Sequence, residues 1–322
     1  MSYVIGVDGG STKTDAVVAS LDGRPLGAGR SGCANWELVG ERGAAETIFD
    51  AIRRALDRAK ADLSKVQHVH IAGAGLDWPE DDGRLRGALD PFLGDIPLTL
   101  ENDSFLGARA CAPTANGITV SAGSGVCASY LSPKDEKYFY GYFGELGGGT
   151  AIDQLTLHAI LRAEDGRGRK TALTTAIPKA TGHTSVAALL HALTREGYEI
   201  PHTAIRPSLF QTAAQGDEVA IEVVTTFGRE LALLATNLIR KFALVGSGTF
   251  VVASGSLFTR TGPLLFDVFR GLIREVDASA RVKLNDRPPV AGAVRAALHA
   301  RGVQTREVWE SISSSYEGAL DG

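Results

Sequence analysis

The sequence predicts an α/β fold of two lobes. Three observations carry this expectation: a length of 322 residues, strand-like runs alternating with helix-periodic ones, and a strand-turn-strand unit near the start that begins again after residue 116. At about 150 residues per domain the chain makes two lobes, each able to bury a core of its own. Tyr3–Val7 and Asp15–Ser20 read as the two strands of a hairpin around the turn Asp8-Gly9-Gly10-Ser11-Thr12-Lys13-Thr14. Glu41–Ala61 places Ala45, Ile48, Ile52, Ala55, Leu56 and Ala59 at helical spacing. Val66–Ala72 and Ile96–Leu100 read as strands, the second stopping at Glu101-Asn102-Asp103, and Ser104–Ala112 as a helix. Gly117–Ser121 and Val126–Leu131 then repeat the hairpin around Ala122-Gly123-Ser124-Gly125. Helices follow at Thr150–Arg162, Ser185–Arg195, Asp217–Leu244, Pro263–Val276 and Val290–Ala300, with strands at Thr249–Ala253 and Arg281–Leu284. The expected lobes are residues 1–113 and 114–322, joined at a hinge near Ala112–Asn116, with the last helix (290–302) packing back on the first lobe.

Composition narrows the function classes. Hydrophobic residues make up 44% and charged residues 22%, with 38 glycines, values of a folded chain far from disordered mixtures. Thirty-three Lys and Arg against 37 Asp and Glu give a net charge of −4, without the basic cluster that nucleic acid or an anionic membrane requires. Cys33, Cys111 and Cys127 contain no C-x-x-C pair, which fits a reducing cytoplasm and excludes a disulfide framework. The first residues run into a strand with no basic and apolar leader, so a soluble, unexported protein is expected.

The chemistry is written in the turns. The first fails as a Walker A loop, because glycine is needed where Thr12 stands and a helix where a strand follows. Two readings remain. A carboxylate at a strand end followed by two glycines and hydroxyl residues can aim the N–H groups of Gly9, Gly10, Ser11, Thr12 and Lys13 at phosphate while Asp8 anchors hydrated magnesium. The same residues also make an ordinary hairpin turn. A second turn at Gly123, Ser124 and Gly125 and a third at Gly255 and Ser256 tip the reading toward a nucleotide.

These stretches resemble the sugar kinase, Hsp70 and actin superfamily, and within it the N-acetylglucosamine kinase and BadF/BadG/BcrA/BcrD ATPase group. Ile5–Thr14 is similar to its first phosphate motif, Val120–Gly125 to the second, Val251–Ser256 to the adenosine motif and Pro288–Ala293 to the closing helix. The resemblance implies a two-lobe actin-like (ribonuclease H-like) fold with a central cleft for ATP and Mg2+. It implies an ATP-dependent kinase acting on N-acetylglucosamine, glucosamine or a related hexose at the 6-hydroxyl. In that setting Asp103 is the base for the acceptor hydroxyl, and Asn35, Trp36, Asn102 and Glu145 join it at the sugar. A hydroxyl attacking the γ-phosphate needs a carboxylate to orient it and take its proton; the bland alternative makes Asp103 the cap of the next helix. For Asn35 and Trp36 the alternative is a loop at the edge of the core. Gly144-Glu145-Leu146-Gly147-Gly148-Gly149 departs from the group's G-D-E-G-S-G, and Val126 from the serine that ends its second motif.

Three remaining features have structural readings. His68 and His70 alternate on one strand face, where solvated or capped side chains are expected ahead of a metal site. Glu80-Asp81-Asp82 reads as an exposed acidic helix start, and the basic run from Arg162 to Lys170 as a surface loop. A small-molecule sugar is the expected partner and a homodimer the expected assembly. The rival functions are an ATPase activating a radical dehydratase, which would require cluster-spaced cysteines, and a sugar-sensing regulator in which Asp103 is idle.

Overall fold

The computed structural model of the chain describes residues 1–123, 125–141, 147–201 and 204–303. In the first part, β1 (Tyr3–Gly9), β2 (Thr14–Ser20) and β3 (Pro25–Ser31) form an antiparallel meander. Then come α1 (Trp36–Ala59), β4 (Val66–Gly73), α2 (Pro79–Leu93), β5 (Leu98–Asn102) and α3 (Leu106–Cys111). The sheet order is β3-β2-β1-β4-β5, with β4 parallel to both β1 and β5. The hairpin expected around the first glycine turn is present, its register closing at Gly9 opposite Thr14.

β3 is rich in glycine for a packing reason. A Cβ at Gly27 would stand 2.4 Å from the Ala55 carbonyl oxygen, and one at Gly29 2.1 Å from that of Ala51. Only glycine lets α1 lie this close to the strand. The regular part of α1 begins where the periodicity does, because Gly40 (φ 75°, ψ 163°) interrupts the helix that Asn35 caps. One face of the sheet buries Ile5, Val7, Val69 and Ile71 against Ile48 and Ile52 of α1 and Leu85 and Leu89 of α2. Each such side chain contributes about 1.5–3 kcal/mol of transfer free energy.

The second sheet has β6 (Gly117–Ala122), β7 (Val126–Leu131), β8 (Lys137–Tyr140), β9 (Phe250–Ser254) and β10 (Arg281–Leu284), in the order β10-β9-β6-β7-β8. The helices after β8 are α4 (Gly148–Glu164), α5 (Leu173–Ala180), α6 (Val186–Arg195), α7 (Ile205–Ala214) and α8 (Glu218–Lys241). The short α9 (Ser256–Thr259) follows β9, then α10 (Pro263–Val276) and, after β10, α11 (Pro289–Ala300). Caps explain the sharp helix starts: Asp217 accepts from the N–H groups of Val219 and Ala220, and Ser185 from that of Ala188.

Two compact units result. One contains Met1–Thr119, Ser129–Phe139 and the stretch from Asn285; the other contains Val120–Ala128 and Tyr140–Leu284. They are therefore not the two contiguous stretches made by a cut after residue 113. In the first unit α11 covers the remaining face of the sheet, burying Val290, Val294 and Leu298 against Val4, Val17 and Ala28. Gly6 permits this approach, since a Cβ there would stand 2.2 Å from the Val294 nitrogen. Among the described residues no helix is long and apolar enough to cross a membrane.

Candidate active site

In the first unit, strand ends present the candidate residues. Asp8 lies at the end of β1, where the turn is shaped by Gly10 N–H donating to the Lys13 carbonyl oxygen at 3.0 Å. Lys13 is ion-paired with Asp15, which Arg30 grips with its Nε at 2.6 Å. Ser11 Oγ receives a hydrogen bond from Asn35 Nδ2 at 3.1 Å, so the first glycine turn and the Asn35 loop meet. Asn35 Oδ1 meanwhile accepts from the Glu37 N–H at 3.0 Å, capping α1. Trp36 packs on the first core, its indole N–H donates to the Gly75 carbonyl oxygen at 2.5 Å, and the Arg84 guanidinium covers its ring at 4.7 Å. Trp36 thus braces the loop after β4 and packs at the core edge.

That loop brings in a residue the sequence reading missed. Asn102 Nδ2 donates to Asp77 Oδ1 at 2.8 Å, while Asn102 Oδ1 takes the Ser104 N–H at 2.9 Å. Asn102 is therefore the cap of the turn after β5, a task the bland reading gave to Asp103. Asp77 is itself fixed, its N–H and that of Trp78 both donating to Asp81 Oδ2. Asp81 is buried by this role, unlike the exposed acidic turn expected from the sequence.

The electrostatics separate these carboxylates from ordinary ones. Burial, and then the Asp103 charge, push Asp8 up to about 7. Burial, and then the Asp77 charge, push Asp103 up to about 6, against two backbone N–H groups that favour its ionised form. Asp77 is raised as well, by burial and by Glu37 and Asp81. Such a set welcomes a cation or a proton. Asp8, the most strongly raised and next to the glycine turn, fits magnesium as a single carboxylate working with phosphate oxygens. Among the described residues no group of three ligand-type side chains forms a metal centre by itself.

Glu101, two residues before Asp103, is built differently. Its carboxylate accepts from His70 Nε2 at 2.8 Å, Arg109 Nε at 2.7 Å and Lys137 Nζ at 2.7 Å. Burial opposes its charge, yet His70, Arg109 and Lys137 hold it well below the usual carboxylate range. Burial lowers His70, whose Nε2 hydrogen points to the Glu101 carboxylate. His68, also buried, bonds Thr99 Oγ1 at 2.8 Å. Of the expected solvated or capped side chains, the two histidines are the capped kind, packed into the sheet and bonded across it.

In the second unit the other two glycine turns adjoin each other. Gly255 has φ 93°, and a Cβ on it would stand 2.3 Å from the Ala122 carbonyl oxygen. Gly123 N–H donates to the Gly125 carbonyl oxygen at 2.9 Å, and Gly149 N–H to that of Gly123 at 2.9 Å. Ser256 Oγ is 3.9 Å from where a Cβ of Gly123 would be. Gly123, Gly125, Gly255 and Ser256 thus converge. Ser124 and Glu145 lie outside the described residues.

Two α/β units with paired glycine turns and a strand-end aspartate define the two-lobe actin-like ATPase class of fold. The Streptomyces griseus ROK family glucokinase, crystallised with glucose and AMPPNP, shares this fold at a TM-score of 0.59 and 19% identity, covering 94% of this chain and 100% of that one. The sequence profile of the BadF/BadG/BcrA/BcrD ATPase family matches residues 5–300, and the chain belongs to that family. It is 24% identical to the N-acetyl-D-glucosamine kinase of Dictyostelium discoideum over 314 residues, covering 92% of this chain and 98% of that protein. It is 26% identical to a glucosamine kinase of Vibrio cholerae over 251 residues, covering 76% and 82% respectively.

Proposed function

We propose that this protein is an ATP-dependent kinase that phosphorylates an amino sugar, N-acetylglucosamine, glucosamine or a close relative, at the 6-hydroxyl. The observation that carries the reading is Asp103: a carboxylate at a strand end, relieved of capping by Asn102 and raised to about 6. A base with that affinity is ionised at pH 7 and takes up a proton more readily than an ordinary aspartate. Asn35 and Asn102 supply hydrogen-bonding groups for sugar hydroxyls, with Trp36 and Glu145 as further candidates. Gly9, Gly10, Ser11, Thr12 and Lys13 in one unit and Gly123, Ser124, Gly125, Gly255 and Ser256 in the other are the proposed nucleotide contacts. Asp8 would hold Mg2+, whose charge offsets that of the phosphates. The names of the two relatives support the choice of acceptor, since both act on amino sugars by their names.

A coupled assay of ADP release over N-acetylglucosamine, glucosamine, glucose and their 6-deoxy forms tests this. Amino sugars should stimulate turnover and the 6-deoxy forms should not. ATP consumption indifferent to every acceptor would replace the kinase reading with a plain ATPase. ATP as donor supports the cytoplasm as compartment, and a homodimer is the proposed assembly, checked by light scattering.

A further inference from the structure

The second unit contains a cavity of about 510 Å³ whose walls include Arg206 and Phe210 of α7 and Ser256, Leu257 and Arg260 after β9. We propose that Arg206 binds a phosphate of the nucleotide; this rests on the ATP-dependent reading above. The guanidinium occupies the place of a missing side chain. A Cβ at Gly149 would stand 2.2 Å from Arg206 Cζ and Nη2 and 2.6 Å from Nη1. Asp153, one turn further along α4, holds Nε at 3.1 Å and Nη2 at 2.8 Å. Both partners are largely buried, at 20% and 12% side-chain exposure. Among the described residues no hydrogen bond engages Nη1, and Arg206 lines the cavity, so the two Nη1 hydrogens are the proposed donors to the ligand.

The position matches an anion. Gly149, on which the guanidinium lies, donates its N–H to the Gly123 carbonyl oxygen of the second glycine turn. Ser256, on the same cavity, also comes close to Gly123, its Oγ 3.9 Å from where a Cβ there would be. A planar fork already fixed by a carboxylate loses little freedom on binding phosphate and forms charge-assisted hydrogen bonds to it. Lysine does not reproduce this, because it cannot lie flat on Gly149 and keep two bonds to Asp153.

Calorimetric titration with ADP and with adenosine separates the possibilities. Arg206→Met should weaken ADP about tenfold to a hundredfold, the range of a hydrogen bond to a charged group, and leave adenosine unchanged. Gly149→Ala, which retains both members of the ion pair, should show the same selective loss because its methyl displaces the guanidinium. It decides the matter if Arg206→Met fails to fold in a thermal scan. A purely structural pair linking α7 to α4 would lower the unfolding temperature without discriminating ADP from adenosine. Wild-type affinity for ADP in the variants, or equal loss of both ligands, overturns the phosphate contact alone. A wild-type protein that binds no nucleotide overturns the ATP reading with it.

Discussion

Glu101 and Asp103 stand two residues apart at the end of β5, and their surroundings treat charge in opposite ways. Glu101 is enclosed by His70, Arg109 and Lys137, which hold it ionised. Asp103 has carboxylates as its charged neighbours and is raised to about 6. One negative charge is cancelled within the protein; the other awaits something brought from outside. The contrast separates a carboxylate that builds the strand end from one that reacts there, and three measurements sharpen or break it.

The largest effect belongs to Asp103→Asn. Turnover should fall about 10²- to 10⁴-fold, the usual contribution of a general base, while the unfolding temperature holds or rises because a strained charge has gone. A variant that turns over normally but melts early would reverse the two roles. Next is Glu101→Gln, expected to cost about 3–5 kcal/mol in a urea titration, since Arg109 and Lys137 lose their buried counter-charge. Unchanged stability would dissolve the comparison from the other side.

The smallest effect is the pH response. The kcat/KM profile should show an acid limb near 6, because Asp103 must shed its proton to act, and Asp103→Asn should lack that limb. In stability the two groups have opposite signs. Asp8 and Asp103 titrate higher folded than unfolded, so their contribution is complete below about 3.8 and is lost as pH rises through about 6 to 7. Glu101 titrates lower when folded, so its contribution is present above about 4.5 and is lost in acid. Urea titrations at pH 4, 5.5 and 7.5 on wild type and Asp103→Asn separate the two.

Local signals made much of the fold legible. The glycine turn gave the first hairpin, and the helices expected from Ser185 and Asp217 do start there, with those residues as their caps. β3 offered no alternating pattern because Gly27 and Gly29 are selected by the nearness of α1, which no local window contains. The Glu101 cluster joins residues 70, 101, 109 and 137, and only folding assembles it. A trace was present: Arg109 is a single charge in the apolar run Leu106–Ala112, which requires a buried partner. Asp77 gave no such trace, as nothing around it differs from an exposed loop. Arg206 was hidden for the same reason as β3, its partners Gly149 and Asp153 lying more than fifty positions earlier.

The seating of α11 has a consequence for biosynthesis. Val4, Val17 and Ala28 leave the ribosome more than 260 residues ahead of Val290, Val294 and Leu298, which shield them. Until α11 is made, the nascent β1–β3 layer therefore keeps a greasy flank open to water or to a chaperone. Maturation of that layer must wait for α11.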